Sequence, residues 1–233
     1  MDILDFRGID FTYYDHPWKY SVVLYTSGCN FRCFGCHNRT LAWWDYKEGN
    51  KAVEQLQLDA PKVEVNPDQF HPILPQEEIK MAISNEFVQM VIFCGGEFLL
   101  NPLSKIKNTI HWLQQINPNL MFRIDTNGSF PDRVQKIMER NLIDGFAIDI
   151  KWPYRNPRRH PIIAKIIGLP LPAAQKIFPK IIQSLKLASQ LPESIFRTVK
   201  YPVIKDPAYF QEIDQRVAKN LKKTYQQNQF VVV

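Results

Sequence analysis

Apolar residues fall into short runs along the chain, separated by longer stretches of mixed periodicity. Six runs read as strands: YSVVLYT (20–26), VQMVIFC (88–94), LMFRIDT (120–126), DGFAIDI (144–150), FRTVKYPVI (196–204) and QFVVV (229–233). They are rich in β-branched and aromatic residues, as expected of buried strands. Helical patterns lie between them at 75–86, 102–116, 131–141, 172–190 and 207–226. Pro75, Pro102, Pro131, Pro172 and Pro207 stand near the five helix starts, where a missing backbone N–H costs least. Glu77 and Glu78 fall in the first turn of the first helix. Strand–helix alternation with apolar strands predicts an α/β fold, a parallel sheet covered by helices. Six such units make a partial (β/α)6 barrel rather than a closed eight-stranded one. Residues 1–233 read as a single domain. The polar, proline-scattered stretch 46–74 reads as a long connection or small insertion. A second proline-spaced stretch, WPYRNPRRHP (152–161), follows the fourth strand.

Composition narrows the class. Hydrophobic residues make up 45% and charged residues 22% of the 233, which is globular. No apolar run approaches the roughly 20 residues that span a bilayer. MDILDFRGID lacks the apolar segment of a signal peptide, so a cytoplasmic location without a membrane partner is expected. Residues 151–233 carry 15 Lys or Arg against 4 Asp or Glu, whereas 1–150 carry 14 against 19. The basic residues are spread out with no aromatic interleaving. They read as solvated helix faces rather than a nucleic-acid surface.

The chemistry gathers at strand ends. Five of the nine glycines, Gly28, Gly35, Gly95, Gly96 and Gly128, directly follow three predicted strands. Ligand sites of parallel α/β proteins lie at those ends. After the first strand comes TSGCNFRCFGCHN (26–38), with Cys29, Cys33 and Cys36 spaced C-x3-C-x2-C. A structural zinc site needs four protein ligands, and the fourth cysteine, Cys94, is 58 residues beyond Cys36. A four-iron cluster ordinarily takes four cysteines as well. Three ligands imply a cluster with one open iron, where chemistry can happen. After the second strand, CGGEF (94–98) offers close backbone approach at Gly95 and Gly96 and a carboxylate, Glu97, for an ammonium group. DTNG (125–128) and DIK (149–151) end the third and fourth strands, and Arg197-Thr198-Val199 lies in the fifth. Cys94 is expected to pack as a small buried hydrophobe, and Trp43 and Trp44 to pack on the sheet. His16, His71, His111 and His160 have no evident partner in the sequence.

C-x3-C-x2-C at the end of a first strand resembles the radical S-adenosylmethionine (SAM) enzymes. The resemblance implies a [4Fe-4S] cluster on Cys29, Cys33 and Cys36, with SAM itself as the missing ligand of the fourth iron. CGGEF resembles the family's GGE motif, which implies that Gly95, Gly96 and Glu97 hold the SAM amino group. Here Phe98 stands where the family usually has Pro. DTNG and DIK are similar to segments of the glycyl-radical-enzyme activases. That likeness implies Asp125, Thr126 and Asp149 at a monovalent cation beside the SAM carboxylate, with Lys151 on the carboxylate. Arg197-Thr198-Val199 resembles the activases' Arg-Thr-x-Val segment, with Arg197 as a further carboxylate partner. GIDFTYYDHPWKYSVVLYTSGCNFRCFGCHN (8–38) resembles the activase opening, whereas 46–74 and 152–172 fit poorly and are candidates for partner-specific contacts.

The expected activity is reductive cleavage of SAM and formation of a glycyl radical on a partner enzyme. The x-Gly-Cys-x-Asn pattern at Gly35, Cys36 and Asn38 is similar to the activating proteins of anaerobic ribonucleoside-triphosphate reductases. An anaerobic ribonucleotide reductase is therefore the expected partner, and a flavodoxin- or ferredoxin-type protein the expected electron donor. Phe34 is one position earlier than the aromatic residue that many family members place before the third cysteine, which leaves His37 as another wall for adenine. The alternatives are a small-molecule radical enzyme of the carboxy-deazaguanine synthase type, a pyruvate formate-lyase-type activase, and a non-catalytic iron–sulfur electron carrier.

Overall fold

The computed structural model describes residues 2–16, 18–42, 72–151, 156–200, 204 and 225–229. The stretch 46–71, Trp43, Trp44, His71, most of the expected 207–226 helix and Val231–Val233 lie outside them. Seven strands form one sheet in chain order: β1 (Gly8–Thr12), β2 (Ser21–Thr26), β3 (Met90–Gly95), β4 (Met121–Thr126), β5 (Gly145–Asp149), β6 (Ile195–Lys200) and β7 (Tyr225–Gln229). β1 pairs antiparallel with β2, and every later pair is parallel. The six parallel strands bear out the expected partial barrel. Among the described residues the two edge strands, β1 and β7, do not pair with each other.

A short helix, α1 (Arg39–Ala42), follows the cysteine loop, and the outer face is covered by α2 (Gln76–Ile83), α3 (Leu103–Ile116), α4 (Pro131–Met138), α5 (His160–Ile167) and α6 (Leu171–Ala188). Pro75 and Pro102 are N-caps, and Pro131 and Pro172 lie in the first turns of α4 and α6. None of the four interrupts a helical hydrogen bond. Among the described residues no single helix is long and apolar enough to cross a membrane.

Alternation along the strands divides the residues between two faces. Val22, Leu24, Val91, Phe93, Phe122, Ile124, Phe146, Ile148 and Phe196 join the core under the helices. Phe93 stacks on Phe6, Phe98 and Phe122 with ring centroids 6.1, 4.7 and 6.0 Å apart. Each buried Phe contributes on the order of 2–3 kcal/mol. The intervening positions point into the barrel.

Three differences from the sequence reading have physical causes. β1 was not foreseen, because GIDFT is short and half-exposed on an antiparallel edge. The last described strand is YQQNQ, so Tyr225 and Gln226 belong to a strand and not to the expected 207–226 helix, and of the expected QFVVV strand only Gln229 is described. Backbone pairing with β6 from Phe196↔Tyr225 to Lys200↔Gln229 defines this strand without an apolar alternation. The poorly fitting 152–172 stretch contains α5, which buries Ile163, Ala164, Ile166 and Ile167.

Candidate active site

A cavity of about 380 Å³ opens at the C-terminal ends of the parallel strands. Cys29, Cys33, Cys36, Gly95, Gly96, Glu97, Asp125, Thr126, Asp149, Lys151 and Arg197 all line it. The barrel-facing parity explains the strand contributions: Val23 and Tyr25, Ile92 and Cys94, Asp125, Asp149, and Arg197 and Val199 line it from five neighbouring strands.

Backbone contacts position the cysteine loop. Gly28 N–H donates to Leu41 O at 2.9 Å, and Glu97 N–H donates to Gly28 O at 2.7 Å. A Cβ on Gly96 would lie 1.9 Å from Gly28 O, so the β2 and β3 loops approach as closely as glycine alone permits. The loop's far side rests on α5. Arg32 N–H donates to Ile167 O at 2.9 Å, and Phe34 N–H to Ile166 O at 2.8 Å. Gly168 ends α5 in the left-handed conformation (φ 64°), and a Cβ there would lie 2.1 Å from Arg32 O. Thus α5 uses its last carbonyls to hold the cysteine loop.

Glu97 is 1% exposed. Its carboxylate accepts from Thr126 Oγ1 at 2.7 Å, Asn127 N–H at 2.7 Å and Leu99 N–H at 3.1 Å. Burial raises its pKa to about 7, partly offset by these donors. Glu97 therefore staples the β3 and β4 loops besides lining the cavity. Phe98 is fully buried on Phe93 within a 3₁₀ turn, Phe98–Leu100.

A ladder of alternating charge crosses the barrel interior. Arg123, fully buried, donates from Nε to Asp125 Oδ1 at 3.0 Å and from Nη1 to Asp15 O at 2.6 Å. Arg197 donates from Nη2 to Asp125 Oδ2 at 3.0 Å and from Nε to Asp149 Oδ1 at 3.2 Å. Lys151 Nζ donates to Asp149 Oδ2 at 3.0 Å. Burial alone would raise the Asp149 carboxyl, but the Lys151 and Arg197 cations hold it well below the usual range. The same two aspartates outweigh burial on Arg197 and push its guanidinium up.

His37, expected as a wall for adenine, lines the cavity, whereas Phe34 is absent from its lining and 47% exposed. Other site residues escaped the sequence reading, and Phe31 is one that lines the cavity. Asn30 bridges loops, donating to Ser129 Oγ at 3.0 Å and accepting from Asn127 Nδ2 at 2.8 Å. Asn38 donates to Gly95 O at 3.1 Å. Cys94 packs on Val23, Met90 and Ile92, but it is half-buried rather than buried, because it also faces the cavity. Arg123 had a readable signal: a charge inside an apolar strand, two residues from Asp125 and so on the same face. Outside the site, His16 Nε2 pairs with Glu193 Oε2 at 2.8 Å, and His160 lies against Phe178 with centroids 4.7 Å apart.

The donor set fits an iron–sulfur cluster. Burial raises the thiol pKa values of Cys29, Cys33 and Cys36, with Cys33 up to about 11. Iron would reverse that cost by holding the thiolates. Among the described residues no three of His, Cys, Asp and Glu could hold a metal ion together. A cube of iron and sulfide meets its cysteines at separate corners, so it does not require them to converge on one ion.

Open parallel sheet, strand-end cavity and three-cysteine loop define a cluster-dependent α/β enzyme class. Residues 23–177 match the Radical SAM superfamily model, and the chain belongs to the radical SAM superfamily. Membership implies a [4Fe-4S] cluster and SAM. A Methanocaldococcus jannaschii protein named "Putative glycyl-radical enzyme activating enzyme MJ1227" is 27% identical over 143 residues, 61% of this chain. The match spans 48% of that relative's length. The solved structure of native anSMEcpe with bound AdoMet aligns with 88% of this chain and 50% of its own, at 16% identity and TM-score 0.49. The structure that also holds the Kp18Cys peptide aligns with 91% and 51%, at 16% identity and TM-score 0.45.

Proposed function

We propose that this chain is a glycyl-radical-enzyme activase and that its partner is an anaerobic ribonucleotide reductase. When bound, the cluster and SAM would supply a 5′-deoxyadenosyl radical able to take a hydrogen atom from the Cα of a partner glycine and so leave a glycyl radical. One electron from a flavodoxin- or ferredoxin-type donor balances each SAM cleaved to methionine and 5′-deoxyadenosine.

The observation that carries the reading is the convergence of Cys29, Cys33, Cys36, Glu97, Asp149 and Lys151 on one cavity. Cys29, Cys33 and Cys36 are assigned to the cluster. Gly95, Gly96 and Glu97 are assigned to the SAM amino end, and Asp125, Thr126, Asp149, Lys151 and Arg197 to its ribose and carboxylate rim. The Gly96–Gly28 contact keeps cluster loop and amino-group loop in one rigid unit, which aligns the reacting centres. Among the described residues the edge strands β1 and β7 do not pair with each other, and this favours a macromolecular substrate, because an open barrel can admit a polypeptide loop. The name of the Methanocaldococcus jannaschii relative supports the same activity class. Gly35, Cys36 and Asn38, in the reductase-activase pattern, favour the reductase.

The experiment is anaerobic reconstitution followed by dithionite and SAM, with electron paramagnetic resonance as the readout. An anaerobic ribonucleotide reductase and a formate lyase are supplied in separate mixtures. A glycyl radical on the reductase is expected. A radical only on the lyase would replace the partner, and SAM cleavage without radical on either would remove the activase reading.

A further inference from the structure

The resemblance to activases implies a monovalent cation held by Asp125 and Asp149 beside the SAM carboxylate. The carboxylates of this chain do not fit that role. Asp125 gives Oδ1 to Arg123 Nε and Oδ2 to Arg197 Nη2, both at 3.0 Å. Asp149 gives Oδ1 to Arg197 Nε at 3.2 Å and Oδ2 to Lys151 Nζ at 3.0 Å. All four carboxylate oxygens thus meet a cation of the protein itself.

We infer that the Arg197 guanidinium, wedged between Asp125 and Asp149, takes the place of the monovalent cation and makes SAM binding independent of added Na⁺ or K⁺. The geometry is that of a bridge. Arg197 splits its Nε–Nη2 edge between two carboxylates, where a metal ion would be shared by the same pair. A planar guanidinium suits this, since its donors are fixed in a fork and it carries charge at every working pH. Its side chain is only 16% exposed, and strand register holds it in place, with Asp149 opposite Arg197 in the β5–β6 ladder. Arg123 backs the arrangement from below, 0% exposed, by fixing the Asp125 oxygen that Arg197 does not take.

Electrostatics point the same way. A metal cation held by these carboxylates would stand within a few ångströms of Arg197 and would compete with it for the same oxygens. Arg197 lines the cavity, and only its Nε and Nη2 are engaged by the two aspartates, which leaves Nη1 without a hydrogen bond among the described residues.

This inference rests on assigning the rim to the SAM carboxylate, not on the identity of the radical acceptor. Its test therefore measures binding. SAM is titrated calorimetrically into the reconstituted protein in Na⁺, K⁺ or tetramethylammonium chloride at one ionic strength. The Kd should differ by less than about twofold among the three salts. Arg197→Gln frees two carboxylate oxygens, and its affinity should become about tenfold or more tighter in Na⁺ or K⁺ than in tetramethylammonium. A wild-type Kd that weakens about tenfold in tetramethylammonium would overturn the inference, whether or not the variant folds. Asp149→Ala that binds SAM as the wild type does in every salt would overturn it differently, by detaching the rim from the cofactor. Failure to form a glycyl radical would leave these affinities untouched and would count only against the activase reading.

Discussion

Glu97 and Thr126, 29 residues apart, meet at 2.7 Å, and the same carboxylate takes the Asn127 amide. The turn that should greet the SAM amino group is thereby tied to the turn that begins the aspartate rim. Glu97→Gln keeps an acceptor for Thr126 but sets an NH₂ group against the Asn127 N–H. An unsatisfied buried donor costs about 1–3 kcal/mol, so the denaturant midpoint should fall accordingly. An unchanged midpoint would show that the carboxylate is not a structural tie.

Cluster formation should need the three loop thiols and no other. Cys29→Ala, Cys33→Ala and Cys36→Ala should each lose the [4Fe-4S] cluster, whereas Cys94→Ala should retain it. Iron and sulfide content after reconstitution checks this. Loss of the cluster in Cys94→Ala would make the fourth cysteine a ligand.

Gly96→Ala should disrupt the site from within. Its Cβ would stand 1.9 Å from Gly28 O, whereas one on Gly8 would meet only the Tyr25 side chain at 3.3 Å. Forcing such a contact costs about 1–3 kcal/mol or more, with the cysteine loop displaced. Gly8→Ala should stay within about 1 kcal/mol of the wild type, because the neighbouring side chain can yield. Equal stability of the two variants would mean the β2 and β3 loops are not in contact.

Asp149→Ala and Lys151→Ala should weaken SAM binding while leaving the cluster's absorption intact. Lys151 is 8% exposed, and removing Asp149 leaves its ammonium without one of its ion-pair partners. Loss of a buried charge partner costs about 3–5 kcal/mol, so Asp149→Ala should also be the less stable of the two. Calorimetric titration and thermal unfolding separate the effects. SAM affinity unchanged in both variants would refute the rim assignment.

Glu193, which is not among the cavity's lining residues, supplies a pH-dependent contact. Burial pushes its carboxyl up, but Lys19 and His16, each 2.8 Å from Oε2, outweigh that and lower it below its ordinary 4.5. A depressed folded-state pKa contributes stability that is present above 4.5 and lost as pH falls through the lowered value. Glu193→Gln should lower the melting temperature at pH 6 and converge with the wild type in strong acid. The gap should correspond to about 1 kcal/mol or less, because the pair is partly exposed. A gap that widens on acidification would reverse the assignment.

The radical SAM architecture was legible in the chain because its signals are local. Strand–helix alternation, prolines at helix starts and glycines after strands each depend on neighbouring residues. The spacing of Cys29, Cys33 and Cys36 is equally local, and so is the two-residue parity that puts Arg123 with Asp125, and Asp149 with Lys151. What folding alone decided was which of these charges meet. Arg197 joins Asp125 and Asp149 across 72 and 48 residues, because parallel strands in sequential order bring alternate positions of β4, β5 and β6 to one interior. No local pattern marks 160–167 as the helix whose end carbonyls hold the cysteine loop, since that contact joins Ile167 to Arg32. The edge strands were equally silent: β1 and β7 exist through backbone pairing to β2 and β6, and backbone hydrogen bonds place little demand on side-chain pattern.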